Sequence, residues 1–267
     1  MEKRVVKRGQ VTIFIIIALV IIGAVILFFA FTDVGRDVVD NVISITGGGE
    51  FNVKEDIENC VLNDEEINSK IAVILKNGGE KEPEFFYLHK DIPHKYLCYS
   101  ANYYEACVNQ QPLLLQFVEK EIEKSIEPSI IDCVQKSEDK LKDRGYELSS
   151  SKSDVSTDIV QGNINIKINH PLIIRKGDSV QRFDSGFEIK KPSQAYQLLS
   201  LSTSIIEFEI RYGDSDPVAY MSIYPRTKVE KLKMADGTTL YKVSDRETME
   251  EFNFATRSYA LPAGYGL

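Results

Sequence analysis

VTIFIIIALVIIGAVILFFAF, residues Val11 to Phe31, decides how the rest of this chain is read. Its twenty-one residues carry no charge. As a helix rising about 1.5 Å per residue it would span roughly 30 Å, the depth of a bilayer's hydrocarbon core. The only polar side chain, Thr12, can bond back to its own helix. The run closes on Phe28, Phe29 and Phe31, whereas a cleaved secretory signal is shorter and ends on small residues. The segment is therefore expected to stay in the protein as a single membrane-spanning helix with the lipid bilayer as its partner. Lys3, Arg4, Lys7 and Arg8 precede it, and Asp33 and Asp37 follow. Basic residues stay on the cytoplasmic side. Residues 1–10 are thus expected inside and the body outside, a single-pass protein of the cell membrane.

Working outward, Lys7-Arg8-Gly9-Gln10-Val11-Thr12 before an apolar stretch resembles the N-terminal signal of archaeal class III prepilins and archaellins. The resemblance implies a peptidase cut between Gly9 and Gln10, with the apolar helix retained and able to bundle with copies of itself. Many pilins of this kind have Glu at the fifth mature position, where this chain has Phe14. The other reading is an uncut signal anchor whose basic flank sets topology.

A second likeness covers more of the chain. It rests on the RGQVTIFI start, on Ile57-Glu58-Asn59-Cys60 and on YLCYSANYYEACVNQQPLL from Tyr96 to Leu115. It also includes Asn169-His170-Pro171-Leu172. These resemble an uncharacterised family of single-pass membrane proteins found in small-genome archaea. That resemblance implies a topology and a lineage, and no activity.

The net charge is −8; residues 1–9 hold a surplus of +3, which leaves −11 for the remainder. An acidic body excludes nucleic acid as an expected partner, because phosphate binding needs a basic surface. Its simplest meaning is solubility.

Beyond the membrane, residues 32–49 read as a stalk helix and linker. Asp33, Asp37 and Asp40 share a solvated face, and Gly47-Gly48-Gly49 forms a hinge. Asn52 to about Lys76 reads as one helix, with Ile57, Cys60, Val61, Ile67, Ile71 and Ile74 inside. Phe85–Leu88 is a short strand, and 89–111 is irregular. Pro112 opens a helix and Pro128 restarts it. Ser149–Ser153 marks a break. Ile164, Ile166 and Ile168 then alternate with polar residues, as in a half-buried strand. Leu172–Arg175 and Val180–Phe183 form a hairpin, and Phe187–Lys190 a strand. Pro192 to about Arg211 is a helix, and Phe252–Tyr259 a last strand. Asp236-Gly237 between Val229–Met234 and Thr238–Val243 predicts a type I′ turn. The expected fold is α+β: a transmembrane helix, a helical disulfide-braced region (50–148), and an antiparallel sheet region with one covering helix (149–267).

Cys60, Cys98, Cys107 and Cys133 all lie past the apolar segment. Outside the cytoplasm, pairing is the natural state, and four cysteines allow three connectivities. Cys98 and Cys107 frame one loop, while Cys60 and Cys133 sit on helical stripes, which favours Cys98–Cys107 and Cys60–Cys133. No C-x-x-C spacing supports zinc. His89 and His94 with Asp91 are better read as loop residues than as metal ligands, and no metal or cofactor is expected. No catalytic signature occurs, so no catalytic residue is assigned. Tyr96, Tyr99, Tyr103 and Tyr104 surround the cysteine pair and form the candidate binding loop, since tyrosines bury contact area at low entropic cost.

The expected function is that of a membrane-anchored cell-surface protein with a non-catalytic binding or structural role at the envelope. Its partners would be other envelope proteins or copies of itself. The alternatives are a pilin-like filament subunit processed after Gly9 and an anchored ectoenzyme.

Overall fold

A computed structural model describes residues 52–262. The expected membrane helix, stalk, glycine hinge and Gly9/Gln10 cut lie outside the described residues. The described residues from Val53 onward cluster as one compact unit. The expected architecture is corrected in two respects. Among the described residues no helix is long and apolar enough to cross a membrane. The body also does not divide into a helical half and a purely antiparallel half.

Two helices open the body, α1 (Val53–Asn63) and α2 (Glu65–Lys76), where one was expected. The break is Asp64. Its extended backbone (φ −71°, ψ 113°) lets the carboxylate accept from Glu66 N at 2.8 Å and Ile67 N at 3.1 Å, an N-cap that begins a new helix. The long helix α3 (Leu114–Asp143) runs straight through Pro128. Leu114, Val118, Ile122, Ile126, Ile130, Val134 and Leu141 form one buried stripe on both sides of the proline. Pro128 itself is exposed. An interior proline costs about 3 kcal/mol. Burying a single Leu or Ile contributes about 2 kcal/mol, so the stripe outweighs the break.

The main sheet draws strands from both ends of the body. β1 (Phe86–His89) falls where the short strand was expected, while β2 (Ile92–Tyr99) and β3 (Val108–Asn109) fall in the stretch expected to be irregular. They join β10 (Thr227–Lys233), β11 (Thr239–Asp245) and β12 (Glu251–Arg257) in the order β1-β2-β12-β11-β10, with β3 also on β2. β2 and β12 pair in parallel, so the sheet is mixed. Two small antiparallel sheets complete the strands. One is β4-β7-β8 (Glu147–Ser150, Leu172–Lys176, Ser179–Phe183), and the other is β5-β6-β9 (Asp154–Val160, Asn163–Asn169, Phe187–Pro192). The anticipated polar break at 149–153 is thus partly the strand β4. Helix α4 (Ala195–Tyr212) packs on β2, β11 and β12, α2 packs on β12, and the short α5 (Pro217–Ile223) packs on β10. Phe252, Phe254 and Tyr241 are fully buried beneath these helices.

The turn chemistry also differs from expectation. In the β10–β11 hairpin only Gly237 takes a positive φ, and Gly237 N bonds Met234 O at 3.1 Å. This is a three-residue connection with glycine in the left-handed position, not type I′. The two-residue turn with both φ positive lies instead at Lys90 (49°) and Asp91 (63°), between β1 and β2.

Asp56 on α1 ties that helix to α3. Ser137 Oγ donates to Asp56 Oδ2 at 2.5 Å, and Lys140 Nζ donates to both carboxylate oxygens at 2.8 and 2.9 Å. Burial alone would raise this carboxyl's pKa. The bonds from Lys140 and Ser137 outweigh burial and hold it below the usual carboxylate range. A depressed folded pKa adds stability that is complete above the unfolded value, about 4, and is lost as pH falls through the folded one. Asp56→Asn is therefore expected to cost about 1 kcal/mol at pH 7 and progressively less below pH 4, measured as urea midpoints across pH. A penalty that stays constant to pH 2 would reject the charge-based account.

Candidate binding surface around the small disulfide

The structure joins Cys98 to Cys107 (S–S 2.01 Å) and Cys60 to Cys133 (S–S 2.00 Å), and no free cysteine remains. The first bridge closes a ring of nine sequence steps between β2 and β3. The ring is also laced to the segment after β12. Ser100 N donates to Arg257 O at 2.9 Å, Tyr104 N to Ala260 O at 2.9 Å, and Tyr259 N to Glu105 O at 2.7 Å. Cys107 N donates to Ser258 Oγ at 3.1 Å. A loop with little core of its own is thereby fixed from two sides.

The four loop tyrosines separate into two pairs. Tyr96 is buried, with its hydroxyl 2.8 Å from Thr238 Oγ1. Burial raises its pKa despite that bond. Tyr99 is half-buried and meets Tyr96 edge-on at 5.0 Å. Both pack with Phe85, at 4.6 and 4.8 Å. Tyr103 and Tyr104 are exposed, 48% and 59%.

Arg257 links the two pairs. Its guanidinium lies 5.9 Å from the Tyr99 ring and 5.3 Å from the Tyr103 ring. Nε donates to Asp236 O at 3.0 Å and Nη1 to Ser100 O. Among the described residues no carboxylate forms an ion pair with it; carbonyls and rings hold the buried cation. A row results, from exposed Phe85 through Tyr96, Tyr99 and Arg257 to exposed Tyr103. Tyr259 is exposed as well, its ring close to Gly213 at the end of α4. A rigid, amphipathic aromatic row of this kind can take up a partner at little entropic cost.

Among the described residues no group of three or more His, Cys, Asp or Glu could hold an ion. His94 is buried, and its Nδ1 lies 3.1 Å from Ile92 O. Burial lowers its pKa. His89 meets it only ring to ring, at 6.2 Å.

Two polar constellations escaped the sequence reading. Buried His170 has Nδ1 3.0 Å from Ser153 Oγ and Nε2 3.0 Å from Glu138 Oε1. A ring protonated on Nε2 donates to Glu138 and accepts from Ser153. Serine, histidine and carboxylate in line also describe a hydrolase triad. Here Nε2 fastens the β6–β7 corner to α3, and Nδ1 fastens it to the segment before β5. The second constellation is Glu209 on α4, 1% exposed, which accepts from the Tyr241 hydroxyl. Lys231 Nζ lies 4.0 Å away. Burial raises the pKa of both Glu209 and Tyr241, and the hydrogen bond between them and the nearby Lys231 oppose that rise at Glu209. No neighbouring residues in sequence announce either cluster.

No protein-family model matches the chain, and no curated protein or solved structure is significantly similar to it.

Proposed function

We propose that this protein is a non-catalytic binding or structural component of the cell envelope. Its disulfide-braced body stands outside the cytoplasm, and the apolar segment Val11–Phe31 tethers it to the bilayer. The observation that carries the proposal is the pairing of all four cysteines, a state that persists in oxidising compartments and is rare in the cytosol. The basic flank of the apolar segment supports the same placement. The contact surface is the braced ring bearing Tyr103 and Tyr104, and its partners are other envelope proteins or copies of the same chain.

The test has two readouts. Protease added to intact cells should digest the body, and non-reducing peptide mapping of native protein should return two bridged pairs. Four alkylatable thiols would overturn the placement. A photoreactive phenylalanine in place of Tyr104 should give discrete adducts on intact cells. Tyr103→Ser should remove those adducts while shifting stability by less than about 1 kcal/mol. The same probe at exposed Glu188, on another sheet, should give none. Identical adducts from both positions would reject the ring as the contact surface.

A further inference from the structure

A cleft of about 500 Å³ opens between α2, the end of β9 and the turn joining β11 to β12. That volume lies within the range of small-molecule sites. Ile71 and Leu75 of α2 form an apolar wall, almost wholly buried behind the opening. Met249 stands at the mouth, 76% exposed, in a left-handed backbone conformation (φ 61°) that methionine rarely adopts. The conformation is imposed by the turn. Asp245 accepts from Glu247 N at 2.9 Å and Thr248 N at 2.8 Å, and Met249 N donates to Asp245 O at 3.1 Å.

The cleft lining holds two lysines, Lys76 and Lys191, and two carboxylates, Glu250 and Glu251. Glu250 is satisfied: it accepts from Ser193 Oγ and Gln194 N at 2.6 Å each, and from Thr248 Oγ1 at 3.1 Å. Glu251 is paired with Lys242 and lies 3.8 Å from Lys76. Lys191 has no such partner. Its ammonium donates to the neutral Asn68 Oδ1, and among the described residues no carboxylate reaches it in an ion pair. Burial depresses its pKa, while Glu250 at longer range opposes that. A half-buried cation without a counter-ion, beside apolar wall and above apolar mouth, is a costly arrangement for the protein alone.

We propose that this cleft binds a small apolar monocarboxylate, its carboxylate on Lys191 Nζ and its apolar body between Ile71, Leu75 and Met249. A monoanion fits better than a phosphate dianion, because Glu250 and Glu251 already place two carboxylates on the rim. The site is independent of the tyrosine ring and goes beyond the envelope role.

The experiment uses the full chain in lipid nanodiscs with ¹³C-methyl methionine. Among the described methionines only Met249 lines the cleft. Titration with 3-phenylpropionate should shift the Met249 methyl signal saturably, and 3-phenylpropanol should bind at least tenfold more weakly. Lys191→Gln should weaken the acid about tenfold and leave the alcohol unchanged. Ala72→Trp, on the exposed face of α2 at the cleft, should abolish binding of both. Equal affinity for acid and alcohol, an unmoved Met249 signal, or undiminished acid binding in Lys191→Gln would each overturn the proposal. If Lys191→Gln does not fold, Ala72→Trp decides: acid binding at wild-type strength there overturns it as well.

Discussion

Replacing Cys60 and Cys133 together by alanine is expected to lower the melting temperature by roughly 10 °C while leaving a cooperative, folded protein. The bridge joins positions 73 apart, so its loss frees a long loop in the unfolded chain. The loop-entropy estimate for that length is about 4 kcal/mol, and in a domain of this size each kcal/mol moves the midpoint by about 2–4 °C. The fold survives because the helices meet without the bridge: Ile57 and Val61 of α1 remain buried, and Asp56 still bonds Ser137 and Lys140. The smaller ring, 9 positions, is worth about 3 kcal/mol on the same estimate. Its backbone bonds to residues 257–260 reduce what its removal releases. Calorimetry on the oxidised double variant decides the matter. A change under about 1 kcal/mol, or outright unfolding, would show that the bridge acts otherwise than by restraining the unfolded chain.

Gly186→Ala should be comparably severe, at about 4 kcal/mol. Gly186 precedes β9 with φ 71°. A β-carbon there would sit 2.1 Å from Ile168 O, 2.7 Å from His170 N and 3.1 Å from Asn169 Cα. All three are backbone atoms, so no side chain can swing aside. To make room, the end of β6 would have to leave β9, where Ile168 faces Phe187. His170 would then be drawn from Glu138 and Ser153. Gly177→Ala is the control: its φ is also positive (58°), but no atom lies within 4 Å of an added β-carbon. It should cost only about 1 kcal/mol in backbone strain. Equal denaturation midpoints for the two variants would mean that the close approach at Gly186 is not what limits that position.

The legible parts of this fold were those whose burial is one-sided and whose partners are near in sequence. Ile164, Ile166 and Ile168 alternate because β6 exposes one face, and the neighbouring hairpins were readable for the same reason. β2 was missed because Tyr96, Leu97 and Cys98 are buried in succession. A strand enclosed on both faces loses its period of two. Its parallel neighbour β12 lies at the far end of the chain, and no local pattern encodes that pairing. Pro128 misled because proline's local cost was visible while the stripe spanning it acts at longer range. Within the candidate surface, the residue types were legible and their exposure was not. Tyr96 is buried by Thr238, and Tyr99 is joined to Tyr103 by Arg257, both distant in sequence. The Ser153–His170–Glu138 and Glu209–Tyr241 clusters are likewise assembled across elements.

The parallel pairing of β2 with β12 has a kinetic consequence. Ser100 and Arg257, which this pairing brings into hydrogen-bond contact, are 157 positions apart. Nearly the whole body must therefore be available before the central pair of the main sheet can form. Local elements such as α3 and the β7–β8 hairpin can appear early. The sheet that buries Phe252 and Phe254 must await the last strand, and closing so long a loop slows the search. During synthesis the central pair of the main sheet therefore stays open until β12 emerges, even where local elements have already formed.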